Sequence, residues 1–208
     1  MNVLLFNGSS KLKGCTNRAL LEIEKELNDN GIETEIICIG GEEIRDCNGC
    51  GACRNNKGYC IYDEDAVNEY IEKAKLADGF IFGTPVYYSH PSGRLLSVMD
   101  RMFYACSKAF MYKPGAAIAS ARRAGTTASL DVLNKYMTFA CMPIVSSSYW
   151  NEVHGNTPDE VEHDLEGLQT MRNLGNNMAW LLKSIEAGAK QGIEQPIPEK
   201  ENRTSFIR

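Results

Sequence analysis

Basic charge is scarce in this sequence: 22 lysines and arginines stand against 27 aspartates and glutamates, a formal net charge of −5. Without a basic stripe, neither nucleic acid nor an anionic membrane surface is expected as a main partner. Long hydrophobic runs are missing too. No segment approaches the roughly 18 apolar residues of a membrane span. Met1–Phe6 passes at once into Asn7-Gly8-Ser9, so no signal-peptide apolar stretch is expected. These absences lead us to expect a cytoplasmic protein, where the eight cysteines are thiols, ligands or redox groups before they are structural disulfides. Two nucleotide fingerprints are also lacking: there is no Gly-x-Gly-x-x-Gly, and no Gly-Lys-Ser/Thr ending of a triphosphate loop. No internal repeat occurs.

What is present is an alternation. Hydrophobic residues make up 43% of the chain, which is ordinary for a globular domain with a sizeable core. Short apolar runs at Val3–Phe6, Thr34–Ile39, Gly79–Thr84, Ala116–Ser120 and Pro143–Ser147 read as strands. The first four are too apolar for a half-exposed sheet and predict helices over both faces. Between the strands, helical spacing recurs: Leu20, Ile23 and Leu27; Val67, Tyr70, Ile71 and Ala74, with Asp63 or Asp65 as N-cap; and Leu95, Met99, Met102, Phe103 and Cys106. Leu130, Leu133, Met137 and Cys141 make a fourth helix, and Met171, Leu174, Met178, Leu181, Leu182 and Ile185 the clearest one. Five strands alternating with five helices predict a doubly wound α/β fold. Right-handed crossovers favour a five-stranded parallel sheet in the order 2-1-3-4-5, with the strands at Val3–Phe6 and Gly79–Thr84 central. One domain is expected over residues 1–190, with a cysteine-rich insertion at 42–62, a second irregular insert at 149–164, and an extended tail at 191–208.

Ligands of such sheets bind beyond the carboxyl ends of the strands, so the loops at 7–17, 84–92 and 120–127 should meet. The first follows a buried strand and opens a helix, a setting that binds anions through backbone N–H groups and the helix dipole. Ser9, Ser10, Lys11, Cys15, Thr16 and Asn17 are its candidate contacts, and they suit a single terminal phosphate better than a pyrophosphate. In the second loop Pro85, Val86, Tyr87 and Tyr88 offer a stiff apolar surface for a flat ring, although aromatics here serve equally well as core. His90, alone in that loop, reads as solvated. In the third loop Ser120, Arg122, Arg123, Ala124, Gly125 and Thr126 combine close backbone approach with positive charge. Two solvated surface arginines are the plainer alternative.

Cys47, Cys50, Cys53 and Cys60 fall within fourteen residues, with gaps of two, two and six. Thiols this dense can share one soft metal centre. An iron–sulfur cluster and a tetrahedral zinc ion both take four sulfurs, and ordinary reduced thiols remain the third option. Gly49, Gly51 and Gly58 let the chain turn between them. Cys38, Cys106 and Cys141 fall in strand or helix patterns and are expected to be buried packing residues.

Together these loops resemble those of a known family, the flavodoxin-like NAD(P)H-dependent FMN reductases, and within it the iron–sulfur flavoproteins. Gly8-Ser9-Ser10-Lys11-Leu12-Lys13-Gly14-Cys15-Thr16 corresponds to the family's Gly-Ser-Pro-Arg-x-x-Gly-Asn-Thr. Thr84-Pro85-Val86-Tyr87 corresponds to Ser-Pro-Val-Tyr, followed by Gly93-Arg94-Leu95 and Asp100-Arg101, and Ala121-Arg122-Arg123-Ala124-Gly125-Thr126 is similar to the flavin-facing loop. The chain departs from the pattern at Ser10, Lys11 and Cys15, keeping one positive charge and a small polar contact. The resemblance implies a flavodoxin-like fold over residues 1–190, non-covalent FMN, NAD(P)H as electron donor and, from the iron–sulfur branch, a [4Fe–4S] cluster on the four cysteines. An FMN-dependent oxidoreductase passing electrons to a quinone, free flavin, azo or nitro compound is the leading expectation. An electron carrier between FMN, the cluster and ferredoxin-like partners is the second, and a zinc-stapled binding module the third. A homodimer or larger assembly is expected, with the tail Ser205-Phe206-Ile207-Arg208 docking on a neighbour and Trp150 and His154 contributing to the same surface.

Overall fold

The computed structural model describes residues 1–202, 204 and 206. Strand β1 (Asn2–Asn7) is buried along nearly its whole length. It leads through helix α1 (Cys15–Asp29) to β2 (Glu33–Cys38). A long segment then reaches helix α2 (Val67–Leu76), strand β3 (Gly79–Tyr87), a two-residue strand β4 (His90–Pro91) and helix α3 (Gly93–Cys106). Strand β5 (Gly115–Ala121), helix α4 (Thr126–Phe139), strand β6 (Glu152–His154), the short helix α5 (Pro158–Val161) and the long helix α6 (Leu165–Lys190) follow, with 3-10 turns at Ala52–Asn55 and Ser107–Ala109.

The parallel strands run in the order β2-β1-β3-β5-β6, and β4 pairs with β3 outside that path. Counting only the parallel strands, this is the expected 2-1-3-4-5 order. Strand β1 lies between β2 and β3, and β3 lies between β1 and β5, with Leu5 opposite Ile36 on one side and Ile81 on the other. Both are central because both are apolar on either face. Leu4, Phe6, Phe80 and Phe82 pack towards α2, α3 and α4, while Val3, Leu5 and Ile81 pack towards α1 and α6. The rings of Phe6 and Phe82 stack across the strands at 5.3 Å, an arrangement that adds to their burial. Strand β5 compensates with small side chains, and a methyl on Gly115 would lie 2.6 Å from both Met137 and Met142.

Two elements differ from the sequence expectation. The fifth strand is not Pro143–Ser147, where Ile144 forms only an isolated bridge to Gly115. Pro143 has no N–H for the ladder, and the Ser147 hydroxyl sits within hydrogen-bond reach of Tyr149 O at 2.8 Å and Asn151 Oδ1 at 2.7 Å, where the chain turns out of the sheet. It returns as β6 beside Ala119–Ala121, inside the segment expected to be an irregular insert. That segment also holds α5, announced by Thr157 as N-cap and Pro158 in the first turn. For α2 the cap residue is Ala66, and Asp65 acts from one position further out, accepting the Val67 N–H at 3.2 Å.

Residues 193–200 carry no helix or strand, and Ile197 and Phe206 are exposed. The rest of the Ser205–Arg208 docking expectation lies outside the described residues. Among the described residues, no helix is long and apolar enough to cross a membrane.

Helices α1 and α6 cross closely at Gly175. A Cβ there would lie 2.8 Å from Glu26 Cβ and 3.1 Å from Ile23 O. Gly175→Ala therefore sets about 1 kcal/mol of helix propensity against an overpacking cost of about 1–3 kcal/mol. Backbone cannot yield as a flexible side-chain tip can, so packing wins. The expected result is a net loss of about 1 kcal/mol in urea unfolding; a variant more stable than wild type would show that the crossing has slack.

Candidate functional site

At the carboxyl edge of the sheet, the first loop leaves β1 and is pinned from several sides. Gly8 N–H donates to Gly83 O at 2.8 Å, and Ser92 Oγ donates to Gly8 O at 2.8 Å. Ser9 N–H donates to Asn7 Oδ1 at 3.1 Å, and Lys11 N–H to Ser9 Oγ at 3.1 Å. Gly40, after β2, lies directly on this loop: a Cβ there would come within 1.9 Å of Ser9 O. The Arg94 guanidinium donates to Gly40 O from α3. Helix α1 then starts at Gly14, with no side-chain cap and no acidic residue in its first turn. Its first N–H groups are without intrahelical partners and form the positive end of the helix dipole, an anion site by construction. Ser10 and Lys11 are exposed at its mouth, and Asn17 is half-buried, its Oδ1 3.4 Å from Asn7 Nδ2.

The other two loops join it. Thr16 Oγ1 and Ser120 Oγ form a buried hydrogen bond of 2.8 Å, linking α1 to the end of β5. Thr84 Oγ1 accepts the Ser92 N–H at 2.9 Å, closing the 84–92 loop at its base. At its tip Tyr88 and Ser89 both take positive φ, 51° and 57°, so that Tyr87 and His90 pair across a two-residue hairpin. Such turns normally use glycine or asparagine; here they hold Tyr88 fully exposed. Gly125 (φ 91°) opens α4, and a Cβ on it would lie 2.5 Å from Ser89 Cα. Thus 7–17, 84–92 and 120–127 meet at one edge, as the sequence led us to expect. Pro85 and Val86 are half-buried in that edge, Thr126 is buried, and Arg122, Arg123 and Ala124 are exposed. Cys15 turns its sulfur towards Gly155 O, 3.5 Å away, and burial pushes its thiol pKa up. What Cys15 offers the loop is its N–H.

Cys47, Cys50, Cys53 and Cys60 line one small cleft together with Tyr62, Arg101 and Tyr104. Gly49 (φ 67°) and Gly51 (φ 70°) supply the two left-handed turns that fold the segment around it. Burial raises the Cys53 thiol pKa, and the neighbouring Cys50, Cys60 and Cys47 push it the same way. Among the described residues, no three His, Cys, Asp or Glu side chains converge on a point that would hold a single metal ion. The cleft lies back from the carboxyl edge of the sheet. Its α3 wall is Arg101, Tyr104 and Ala105, and Arg101 is eight residues into a helix that starts at the carboxyl edge. At 1.5 Å per residue the cleft is about 12 Å or more back along α3, so it is not at the ligand edge itself.

Sequence reasoning met Arg101 only within the Asp100-Arg101 pair and gave it no role. It is 1% exposed and the largest of the fully buried side chains. Its guanidinium pairs with Asp65 and donates to Arg45 O at 3.1 Å, Tyr62 O at 2.9 Å and Cys60 Sγ at 3.3 Å. A charge on the otherwise apolar stripe of α3 was the available signal. Cys38 and Cys141 are exposed and Cys106 is half-buried, against the expectation of buried packing. Cys38 ends the edge strand β2, Cys141 follows α4 at a positive φ of 58°, and Cys106 Sγ rests against Gly58 of the cysteine segment.

The 2-1-3-4-5 sheet, with an open helix N-terminus, buried hydroxyls and an apolar ledge at its carboxyl edge, defines a flavodoxin-like fold. Comparison with known proteins agrees. A solved archaeal flavodoxin superposes with a TM-score of 0.59 at 15% identity, covering 88% of this chain and 99% of its own, a likeness of fold alone. Residues 1–157 match the model of the NADPH-dependent FMN reductases. An iron–sulfur flavoprotein of Methanocaldococcus jannaschii is 31% identical over 194 residues, 89% of this chain and all of that protein. Another from Methanosarcina thermophila is 31% identical over 172 residues, 81% of this chain and 86% of its own. The chain belongs to the NADPH-dependent FMN reductase family, and it is an FMN-dependent oxidoreductase.

Asp65 gives the cysteine segment a pH dependence. Burial raises its pKa, but the Arg101 pair and the Arg45 and Val67 N–H groups outweigh this and hold it below the ordinary carboxylate value. A folded pKa below the unfolded one stabilises at pH above the unfolded value, about 3.9, and the contribution is lost as pH falls through the folded value. Pepsin should therefore cut within residues 42–65 increasingly as pH falls from about 4 to about 2, while Asp65→Asn is cut at both. Equal cleavage of wild type across that range would separate the segment's attachment from Asp65.

Proposed function

We propose that the protein is an FMN-dependent NAD(P)H oxidoreductase delivering electrons to a small acceptor of the quinone, flavin, azo or nitro class. The observation that carries this reading is the meeting of three loops around the uncapped N-terminus of α1. Their donors fit FMN part by part. The N–H groups of Cys15, Thr16 and Asn17, with Ser9, Ser10 and Lys11, suit a phosphate monoester dianion. Pro85, Val86, Tyr87 and Tyr88 form a ledge for the isoalloxazine. Ser120 and Arg122 to Thr126 offer N–H groups and charge to its pyrimidine edge, where negative charge gathers on reduction. Bound there, FMN supplies hydride acceptance and onward electron transfer. The protein's own part is to hold the ring against the 84–92 ledge and leave one face open to nicotinamide and acceptor in turn. No side chain is assigned as acid or base.

A second reading adds a cluster and is favoured by the cysteine cleft. The four thiols surround a shared space without converging on one point, which suits one thiolate per iron of a [4Fe–4S] group better than a single tetrahedral ion. The relatives named iron–sulfur flavoproteins support it. On this reading the protein passes electrons between FMN, the cluster and a ferredoxin-like partner. We infer a cytoplasmic homodimer or larger assembly for either reading, supported by the exposed Trp150, Trp180 and Phe139.

Reconstitution with FMN should give flavin absorption bands and oxidise NADH or NADPH without a protein partner. No NAD(P)H turnover by FMN-loaded protein would remove the enzymatic reading in favour of the carrier. Lys11→Ala should weaken FMN binding about tenfold, the scale of one charge-assisted contact, and Gly125→Ala by more, because it displaces two loops. Binding of both variants at wild-type affinity would put the flavin elsewhere. Anaerobic purification should yield about four irons and four sulfides per chain, the content of one [4Fe–4S] group. Zinc or no metal under those conditions would leave FMN as the sole redox group.

A further inference from the structure

Among the described residues, Arg101 is the one fully buried cation of the core, and its hydrogen-bond partners all lie between Arg45 and Asp65, in and beside the cysteine segment. Its Nη1 reaches Asp65 and Arg45 O, its Nη2 reaches Tyr62 O, and its Nε reaches Cys60 Sγ at 3.3 Å. Arg45 precedes the first cysteine, Cys60 is the last, and Tyr62 and Asp65 follow it. One guanidinium therefore closes the segment at both ends. Burying a guanidinium costs several kcal/mol unless its donors are met, and here the return goes to a loop and none of it to the sheet. A clamp alone could be built from carbonyl partners. The Nε–H directed at a sulfur is the feature a clamp does not need.

We propose that Arg101 is a positioning residue for the cysteine-bound redox group: it closes the segment before the group is loaded, and through its N–H···S bond to Cys60 it favours the reduced state. This rests on the cluster reading above. Reduction adds one electron to the group, taken from the reduced flavin of the same protein, with no bond broken at the group and no proton required there, so the reduced form carries one more negative charge. A fixed cationic donor on a ligand sulfur stabilises that form and raises the potential, since hydrogen bonds to the sulfurs and net charge set it. Closure acts separately: cysteine sulfurs already gathered around the cleft lose less conformational entropy when iron arrives.

The test uses Arg101→Met and Arg101→Lys in the full chain, with FMN affinity as the check on the fold. In metal-free, FMN-bound protein, amide exchange over residues 45–65 should accelerate at least tenfold in both variants, because lysine cannot span four partners. In anaerobically reconstituted protein titrated with dithionite and mediators, the ratio of reduced to oxidised cluster at the wild-type midpoint should fall about tenfold in Arg101→Met, equivalent to 59 mV for one electron. Arg101→Lys should fall between the two, having kept the cation and lost the directed bond. Unchanged exchange overturns the closing role. Faster exchange with an unchanged midpoint reduces Arg101 to a staple and overturns the tuning. Loss of FMN binding by both variants makes Arg101 a residue of the general fold and overturns the proposal. Wild-type protein that takes up no iron overturns the cluster reading and the tuning with it, and the metal-free exchange tells that failure from a failure of closure.

Discussion

Everything in this molecule hangs on β1 and β3 being covered on both faces and paired on both edges. With Leu5 and Phe6 at 0% exposure, these strands have no free side for a ligand. Chemistry is confined to where they stop. That constraint sends the loops after β1, β3 and β5 to one edge, and it makes their contact distances a property of the sheet. The closeness of Gly8 to Gly83 O, 2.8 Å between N and O, continues the β1–β3 ladder into the site.

At that edge, backbone polarity does most of the work. The N-terminus of α1 is left uncapped, and the hydroxyls nearby are occupied in tying loops to one another: Ser92 to Gly8, Thr84 to Ser92, Thr16 to Ser120. A site built this way is stiff, and it presents N–H groups without a side chain having to reorganise. The tight packing of Gly40 on Ser9 and of Gly125 on Ser89 explains why these positions have no side chain. It also explains how three loops can behave as one rim.

The cysteine segment follows another logic. It has little apolar surface and is held to the domain by charge and hydrogen bonds around Arg101, with Tyr59 and Ile44 packed on the core as partial anchors. Such an attachment is sensitive to acid where the core is not, because its key carboxylate is Asp65. The loop rim and the cysteine segment thus stand on opposite ends of α3, one governed by helix-terminus polarity and one by a buried cation.

Residue order alone determined the layers, the parallel order and the three loops, because burial on two faces and helical spacing are local patterns repeated along the chain. The four cysteines were equally plain from their spacing. Only tertiary structure decided that the outer strand is Glu152–His154 and not Pro143–Ser147, since the choice depends on which backbone reaches β5 after the serine turn has formed. It alone placed the cysteines against the second half of α3, and it alone gave Arg101 its partners. In the sequence that residue is one arginine on an apolar helix face, and its partners at 45, 60, 62 and 65 lie 36 to 56 positions away. Periodicity reports which face a residue is on; which distant groups meet it there depends on how a loop returns, and that is settled by packing.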